Sequence, residues 1–220
     1  MILGTICARG GSKGIPRKNL IEIKHRPLLQ YTLDHASQCA VLDKIVISTE
    51  DEEIANKFRH TGNVQMRPPE LATDTASKWD VFRYIAECNP QYNILVDLDT
   101  GCPLRSPVDI IECLKKLWTG FDVVATAYAC ERNPYFNMVR MSPNGSVHVV
   151  NDMDVCNRQS APVVYSLSPS VFAIRREALF KFSHWSRSNM GIVEIPRKRA
   201  IDIDTPEDLE YVEYLMRQQC

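Results

Sequence analysis

"CARGGSKGIPRKN", Cys7–Asn19, packs three glycines, one proline and four basic side chains (Arg9, Lys13, Arg17 and Lys18) into thirteen residues. It follows the short apolar run of residues 1–6. A buried strand that ends in a cationic, glycine-rich loop is how many phosphate-binding α/β sheets begin. Ligands of such sheets sit beyond the carboxyl ends of the strands. Glycines at Gly10, Gly11 and Gly14 let backbone N–H groups approach an anion, and arginine and lysine neutralise it. The spacing excludes two familiar phosphate loops. A Walker A loop needs GxxxxGK followed by Ser or Thr, and the dinucleotide fingerprint GxGxxG is also missing. The bland alternative is a solvated turn; the position after the first strand favours a polyphosphate site.

Working outward, the chain alternates strand and helix patterns. "DKIVIST" and "YNILVDLD" read as buried strands, and "FDVVATAYA" as another. "PLLQYTLDHASQCA", "EDEEIANKFRHTG", "TASKWDVFRYIAECN" and "VDIIECLKKLWTG" read as helices, the second with acids in its first turn and a glycine after its end. This alternation predicts right-handed βαβ units and a mostly parallel sheet. Between about 131 and 169 the pattern changes. "YFNMVRMSPNGSVHVVND" reads as a hairpin turning at "PNG", an antiparallel insertion in a parallel fold. In the closing segment, Thr205 is placed to cap a helix, Pro206 to occupy its first position and Asp208 to complete a capping box. One domain over 1–220, with an inserted arm at about 131–169, accounts for the whole pattern.

Composition narrows the class. Formal net charge is −1 with 24% charged residues, which provides no general basic field for nucleic acid or a membrane surface. No run approaches the length of a membrane span, and Arg9 with the glycines breaks the first apolar run too early for a signal peptide. Eight cysteines (Cys7, Cys39, Cys88, Cys102, Cys113, Cys130, Cys156 and Cys220) form no CxxC pair and no zinc spacing with the five histidines. They read as reduced thiols of a cytoplasmic protein.

"AIDIDT", residues 200–205, alternates apolar and acidic residues. As a strand it would direct Asp202 and Asp204 to the same face. Two carboxylates so close are costly unless one protonates or a cation joins them. Mg²⁺ suits such a pair, filling its shell with phosphate oxygens and water. A solvated acidic face is the alternative. Asp97 and Asp99, in "LVDLDTG", form a second such pair and a rival metal site.

"ARGGSKGIPRKN", "ISTEDEEIA", "RPPELATDTAS", "CPLRSP", "NPYFNMV", "RQSAP" and "IDIDTPEDL" occur in an order that resembles the CMP-sialic acid synthetase family along nearly the whole chain. These are cytidylyltransferases that activate nine-carbon acidic sugars, legionaminate-type members included. Relatives that act on the eight-carbon sugar Kdo share the fold but differ in the first loop. The resemblance implies a Rossmann-like nucleotide-diphospho-sugar transferase fold, with the antiparallel arm serving dimerisation. It implies transfer of CMP from CTP to an acid sugar with release of pyrophosphate, dependent on Mg²⁺ held by Asp202 and Asp204. Arg9, Gly10, Gly11, Ser12, Lys13 and Lys18 would hold the triphosphate, and Asn19, Arg67 and Ser77 the cytidine. Lys18 and Arg9 join the two aspartates as the catalytic set.

On the sugar side the resemblance implies Asp99, Arg158, Gln159, Phe172 and Trp185. An arginine fork at Arg158 suits a carboxylate. Trp185 matches loosely, and a core or interface tryptophan is the other reading. Two positions depart from the family pattern. Asp99, followed by Thr100, Gly101 and Cys102, stands where the family has glutamine then Pro-Thr-Ser-Pro, and Ser168 stands where it has asparagine. These departures bear on the identity of the sugar. The expected assembly is a homodimer in which parts of one subunit reach the other's sugar pocket. Two other readings have different consequences: a cytidylyltransferase for another acid sugar such as Kdo, and a catalytically silent nucleotide-binding module.

Overall fold

The computed structural model describes every residue except Asp152, Asp154, Gln219 and Cys220. Cys220, and Asp152 at the end of the expected hairpin segment, therefore lie outside the described residues. In chain order the strands are β1 (Ile2–Cys7), β2 (Glu22–Ile23), β3 (Arg26–Pro27), β4 (Lys44–Thr49), β5 (Val64–Met66), β6 (Ile94–Leu98), β7 (Val123–Ala129), β8 (Val139–Met141), β9 (Val147–Val149), β10 (Tyr165–Arg175) and β11 (Met190–Glu194). The helices are α1 (Leu28–Ser37), α2 (Glu52–Phe58), α3 (Lys78–Cys88), α4 (Pro107–Leu117), α5 (Arg176–Lys181) and α6 (Pro206–Arg217).

Seven strands make one sheet in the order β11-β7-β10-β6-β1-β4-β5. β1 pairs in parallel with β4 and β6, β4 with β5, and β7 with β11. β10 runs antiparallel between β6 and β7. The pattern predicted a mostly parallel sheet, and the sheet is one. A return strand inserted at its centre was not readable from local pattern.

Alternation along β1 builds two layers. Ile2 and Ile6 join Leu29, Leu33, Ile54, Phe58, Ile110 and Leu114 on the face covered by α1, α2 and α4. Leu3 joins Trp79, Phe82, Ile85, Leu95, Ile174 and Leu179 on the face covered by α3 and α5. A third cluster, with Ile15, Leu28, Leu104, Ile203, Val212 and Met216, docks α6 beside the opening loop. Burying each large apolar side chain contributes roughly 1.5–3 kcal/mol, so these three clusters dominate the fold's stability.

β10 shifts register against β7 between Ser168 and Phe172. Thr126 bridges the irregularity: its Oγ1 accepts from Val171 N at 3.1 Å and donates to Ser168 O at 3.1 Å. The buried Arg105 guanidinium donates from Nε to Ser170 O at 2.7 Å and from Nη2 to Asp99 O, which ties the loop after β6 to this bulge.

β8 and β9 form the expected hairpin, closed by a turn in which Ser142 N donates to Ser146 O at 2.8 Å and Gly145 takes φ 85°. β10 begins at Tyr165, so the last residues of the segment expected to be inserted belong to the main sheet. α6 carries the full capping box of Thr205 and Asp208 behind Pro206. Residues 200–205, expected as a strand, join no ladder. Their backbone is held through a loop, Ile203 N donating to Gly101 O at 2.9 Å.

Candidate active site

The opening loop, the loop after β6 and the segment 202–204 converge beyond the carboxyl ends of β1 and β6. Between them and the loop before α3 lies a cavity of about 630 Å³. Its wall includes Arg9, Ser12, Lys13, Lys18, Asn19, Arg67, Lys78, Asp99 and Asp204.

Two glycines make the convergence possible. A Cβ on Gly14 would lie 1.9 Å from Asp204 O, and one on Gly101 would lie 1.8 Å from Asp202 Oδ1. No side chain fits at Gly14, where the obstacle is backbone, and a side chain at Gly101 would displace the Asp202 carboxylate.

The carboxylates of Asp202 and Asp204 share one cation although they are not on a strand. Lys18 Nζ donates to Asp204 Oδ1 at 2.9 Å and to Ile203 O at 2.6 Å, and lies 3.8 Å from Asp202 Oδ1. Asp202 Oδ1 is buried and has no hydrogen-bond donor among the described residues. Burial pushes the Asp202 carboxyl up to about 6, reinforced by the nearby charges of Asp99 and Asp204. Burial opposes the charge on Lys18, but Asp202, Asp204 and Asp99 outweigh it and hold its pKa above the ordinary lysine value.

A buried, unpartnered carboxylate oxygen among other carboxylates fits a divalent cation. Among the described residues no group of three or more His, Cys, Asp or Glu side chains is arranged to hold a metal. Two carboxylates, with phosphate and water completing the shell, match Mg²⁺ chemistry.

The rival pair has a different cation. Lys78, the first residue of α3, places Nζ 2.7 Å from Asp97 Oδ2 and 2.8 Å from Asp99 Oδ2. Asp97 is fully buried. Burial alone would raise the Asp99 carboxyl, but Lys78 overrides it and, with Gly101 N donating to Asp99 Oδ1 at 2.9 Å, lowers it to about 2. Lys78 thus hydrogen-bonds Asp99 and ion-pairs with Asp97, whose buried Oδ2 has no hydrogen-bond donor of good geometry among the described residues. The Cys7 thiol beside them is pushed up by burial and by Asp97, the opposite of an activated nucleophile.

The remaining expected residues divide. Arg67 is buried on the wall, with Nη2 on Glu50 Oε2 at 2.8 Å and Nη1 on Ser48 O at 3.3 Å. Asn19 also lines the cavity, but its amide holds the scaffold: Nδ2 donates to Arg9 O at 2.8 Å, and Oδ1 accepts from Thr100 Oγ1 at 2.6 Å. Gly10 N donates to Glu50 Oε1 at 2.8 Å, so this amide is committed within the fold; neither Gly10 nor Gly11 is on the cavity wall. Ser77 caps α3, its Oγ accepting from Trp79 N at 3.1 Å, and is likewise off the wall.

Phe172 and Trp185 meet edge to face at 6.3 Å and pack on the α3–α5 cluster of their own chain. Trp185 therefore follows the core reading. Arg158 and Gln159 lie exposed in the arm, with Arg158 Nη2 donating to Glu131 O at 3.0 Å, and neither reaches the cavity. Three participants were missed in the sequence: Lys78, Glu50 and Asp74. "SKWDVF" offered a helix start with a lysine in its first turn, but nothing in it shows that the turn overhangs the end of β6. Asp202 faces a second cavity of about 680 Å³ at the base of the arm, beside Tyr128, Arg197, Lys198 and Tyr211.

One cavity thus gathers Arg9, Lys13, Lys18 and Lys78 with Asp99 and Asp204, a charged lining suited to a polyphosphate ligand. The Cytidylyltransferase family model matches residues 3–219, and the chain belongs to that family. It is 34% identical to "Post-translational flagellin modification protein B" of Campylobacter coli, over 99% of this chain and 96% of that protein. It is also 34% identical to "CMP-N,N'-diacetyllegionaminic acid synthase" of Campylobacter jejuni, over 98% and 94%. A solved CMP:2-keto-3-deoxy-manno-octonic acid synthetase complexed with CTP superposes with a TM-score of 0.76 at 19% identity, covering 100% of this chain and 99% of the other. This chain is accordingly a nucleotidyltransferase that transfers cytidylyl groups from CTP, on the fold expected from its sequence.

Proposed function

We propose that the acceptor is a nonulosonic acid, with a diacetylated legionaminate-type sugar the first choice, and that the products are its CMP conjugate and pyrophosphate. The observation that carries this reading is Lys18, ion-paired to Asp204 and 3.8 Å from Asp202, lining one cavity with Arg9, Lys13 and Asp204. The name of the Campylobacter jejuni relative, a CMP-N,N'-diacetyllegionaminic acid synthase, supports the acceptor class.

In this reading Arg9 and Lys13 hold the β- and γ-phosphates, Arg67 and Asn19 face the cytidine, and Lys18 orients the α-phosphate. The anomeric hydroxyl attacks the α-phosphorus, the bond to the bridging oxygen breaks, and pyrophosphate carries away the charge. Positioning and neutralisation dominate such a transfer. Mg²⁺ on Asp202 and Asp204 would supply charge stabilisation at the α-phosphate and the leaving group. Asp99, fixed as an anion by Lys78, presents an acceptor to hydroxyl or amide N–H groups of the sugar.

The proposal extends to assembly. Met138, Val139, Met141, Val147 and Val163 of the arm are exposed apolar side chains. A second copy of the chain would cover them, and Arg158, remote from its own cavity, would serve the partner's sugar pocket. The seven described cysteines are free, and no described helix is long and apolar enough to cross a membrane. Both facts are compatible with the cytoplasmic location we propose.

A panel of N-acetylneuraminic, diacetyllegionaminic, pseudaminic and Kdo acids, each with CTP and Mg²⁺, tests the acceptor through pyrophosphate release. Preference for a nonulosonate is expected. Preference for Kdo would replace the acceptor, and no turnover with any acid would favour the silent module.

A further inference from the structure

The four cations of the opening loop have unequal fates. Arg17 is committed to α2, with Nη1 2.6 Å from Asp51 Oδ2, Nη2 3.0 Å from Asp51 Oδ1 and a further contact to Glu53. Lys18 is committed to the carboxylate segment. Among the described residues, the Arg9 and Lys13 side chains share a single partner, the carboxylate of Asp74. Arg9 Nη1 lies 3.0 Å from Asp74 Oδ1, and Lys13 Nζ lies 2.9 Å from Asp74 Oδ2.

Asp74 sits on the loop before α3, and its side chain is about half exposed. Apart from these two cations, no described residue donates to its carboxylate. Arg9, Lys13 and Asp74 line the same cavity. Each carboxylate oxygen takes one cation, as two oxygens of a bound phosphate chain would.

We infer that Asp74 is the resident counter-ion of the triphosphate cradle. It holds Arg9 and Lys13 together while the cradle is empty, yields them to the β- and γ-phosphates of CTP, and returns as pyrophosphate leaves. The inference rests on the nucleotide reading above.

The exchange is physically easy in both directions. Exposed ion pairs are individually weak, so a half-exposed aspartate is displaced by a more highly charged ligand without a large barrier. A polyphosphate brings more charge and more oxygens than one carboxylate, and it gains charge-assisted bonds to the arginine fork. When pyrophosphate starts to dissociate, a tethered carboxylate competes at high effective concentration for the same cations. Asp74 thus weakens ground-state affinity for polyphosphates and hastens product release. A ligand that ends at its α-phosphate does not reach Arg9 and Lys13 and is indifferent to Asp74.

Calorimetric titration of the wild type, Asp74→Asn and Asp74→Ala with CTP, inorganic pyrophosphate and CMP, in Mg²⁺ and without sugar, separates the possibilities. Both variants are expected to bind CTP and pyrophosphate about three- to tenfold tighter, the size expected for removing two exposed ion-pair competitors, with CMP affinity unchanged. Equal or weaker binding of CTP and pyrophosphate in the variants would overturn the inference. So would a parallel change for CMP, which would place the effect at the base or α-phosphate. Wild-type protein that binds no CTP would instead overturn the nucleotide reading itself.

Discussion

On the floor formed where the end of β6 meets residues 202–204, with Asp99 and Asp204 on the cavity wall, each carboxylate of the two i, i+2 pairs lies within 4 Å of an ammonium. Lys78 joins Asp97 and Asp99 at 2.7 and 2.8 Å, and Lys18 reaches Asp204 and Asp202 at 2.9 and 3.8 Å. In the arm, Val139, Met141 and Val147 are 56, 76 and 54% exposed on a two-stranded ribbon, and Arg158 reaches only a backbone carbonyl of its own arm. The floor closes within one chain, with partners drawn from positions as far apart as 18 and 204. The described part of the arm is tied to the body by Arg197 Nη1 on Glu131 Oε1 at 2.5 Å, while its ribbon keeps these apolar side chains exposed. A hairpin of this size is marginal alone. In the proposed function the first region carries the transfer chemistry and the second meets another subunit.

The sharpest way to break the floor is at its carboxylates. Asp202→Asn removes a charge that the cation-binding pair needs, and activity should fall on the order of 10³-fold, with chelation of the wild type by EDTA having a comparable effect. Pyrophosphate release checks both; undiminished activity under chelation would remove the metal from the account. Lys18→Ala should follow, with a loss on the order of 10²-fold, about 3 kcal/mol, because an aligned charge in a water-poor site is worth more than one in solution. Circular dichroism should show the fold retained, and near wild-type turnover would release Lys18 from its role.

The arm should fail differently. Val139→Asp combined with Met141→Asp puts charge where an apolar contact is expected. Sedimentation should show a monomer, with the KM for the sugar raised about tenfold and CTP affinity retained. A variant that remains dimeric would place the interface elsewhere.

The smallest effect concerns pH. The Asp202 carboxyl, raised to about 6, is ionised above that pH and protonated below it. Mg²⁺ binds the ionised form, so its affinity should weaken about tenfold from pH 7 to pH 5, followed by calorimetry. A flat profile would contradict the raised carboxyl.

Sequence pattern revealed the parts that depend on neighbours along the chain. The strand–helix alternation, the "PNG" hairpin and the Thr205–Pro206–Asp208 cap are local signals, and all three formed. Asp202 and Asp204, paired by their i, i+2 spacing, both lie within 4 Å of Lys18, although the ladder assumed for them is absent. What stayed hidden depends on which segments meet. Lys78 over Asp97 and Asp99, Glu50 under Gly10 and Asp74 on Arg9 and Lys13 are encounters across 19 to 65 positions, with no periodicity to betray them. Ser77 carries two roles that sequence cannot separate, and in the structure its hydroxyl caps α3. The central placement of β10 was hidden for the same reason: pairing partners are chosen by topology, not by composition.

The composite site is tested most directly by mixing two inactive proteins. Lys18→Ala spoils the floor and keeps the arm; Arg158→Ala spoils the arm and keeps the floor. If Arg158 serves the partner's cavity, each mixed dimer holds one site with both intact residues and one with neither. Co-refolded in equal amounts, the two variants should then recover about a quarter of wild-type CMP-sugar formation, since half the dimers are mixed and each has one working site. A mixture no more active than its parents would contradict the claim that one chain's cavity floor is completed by another chain's arm.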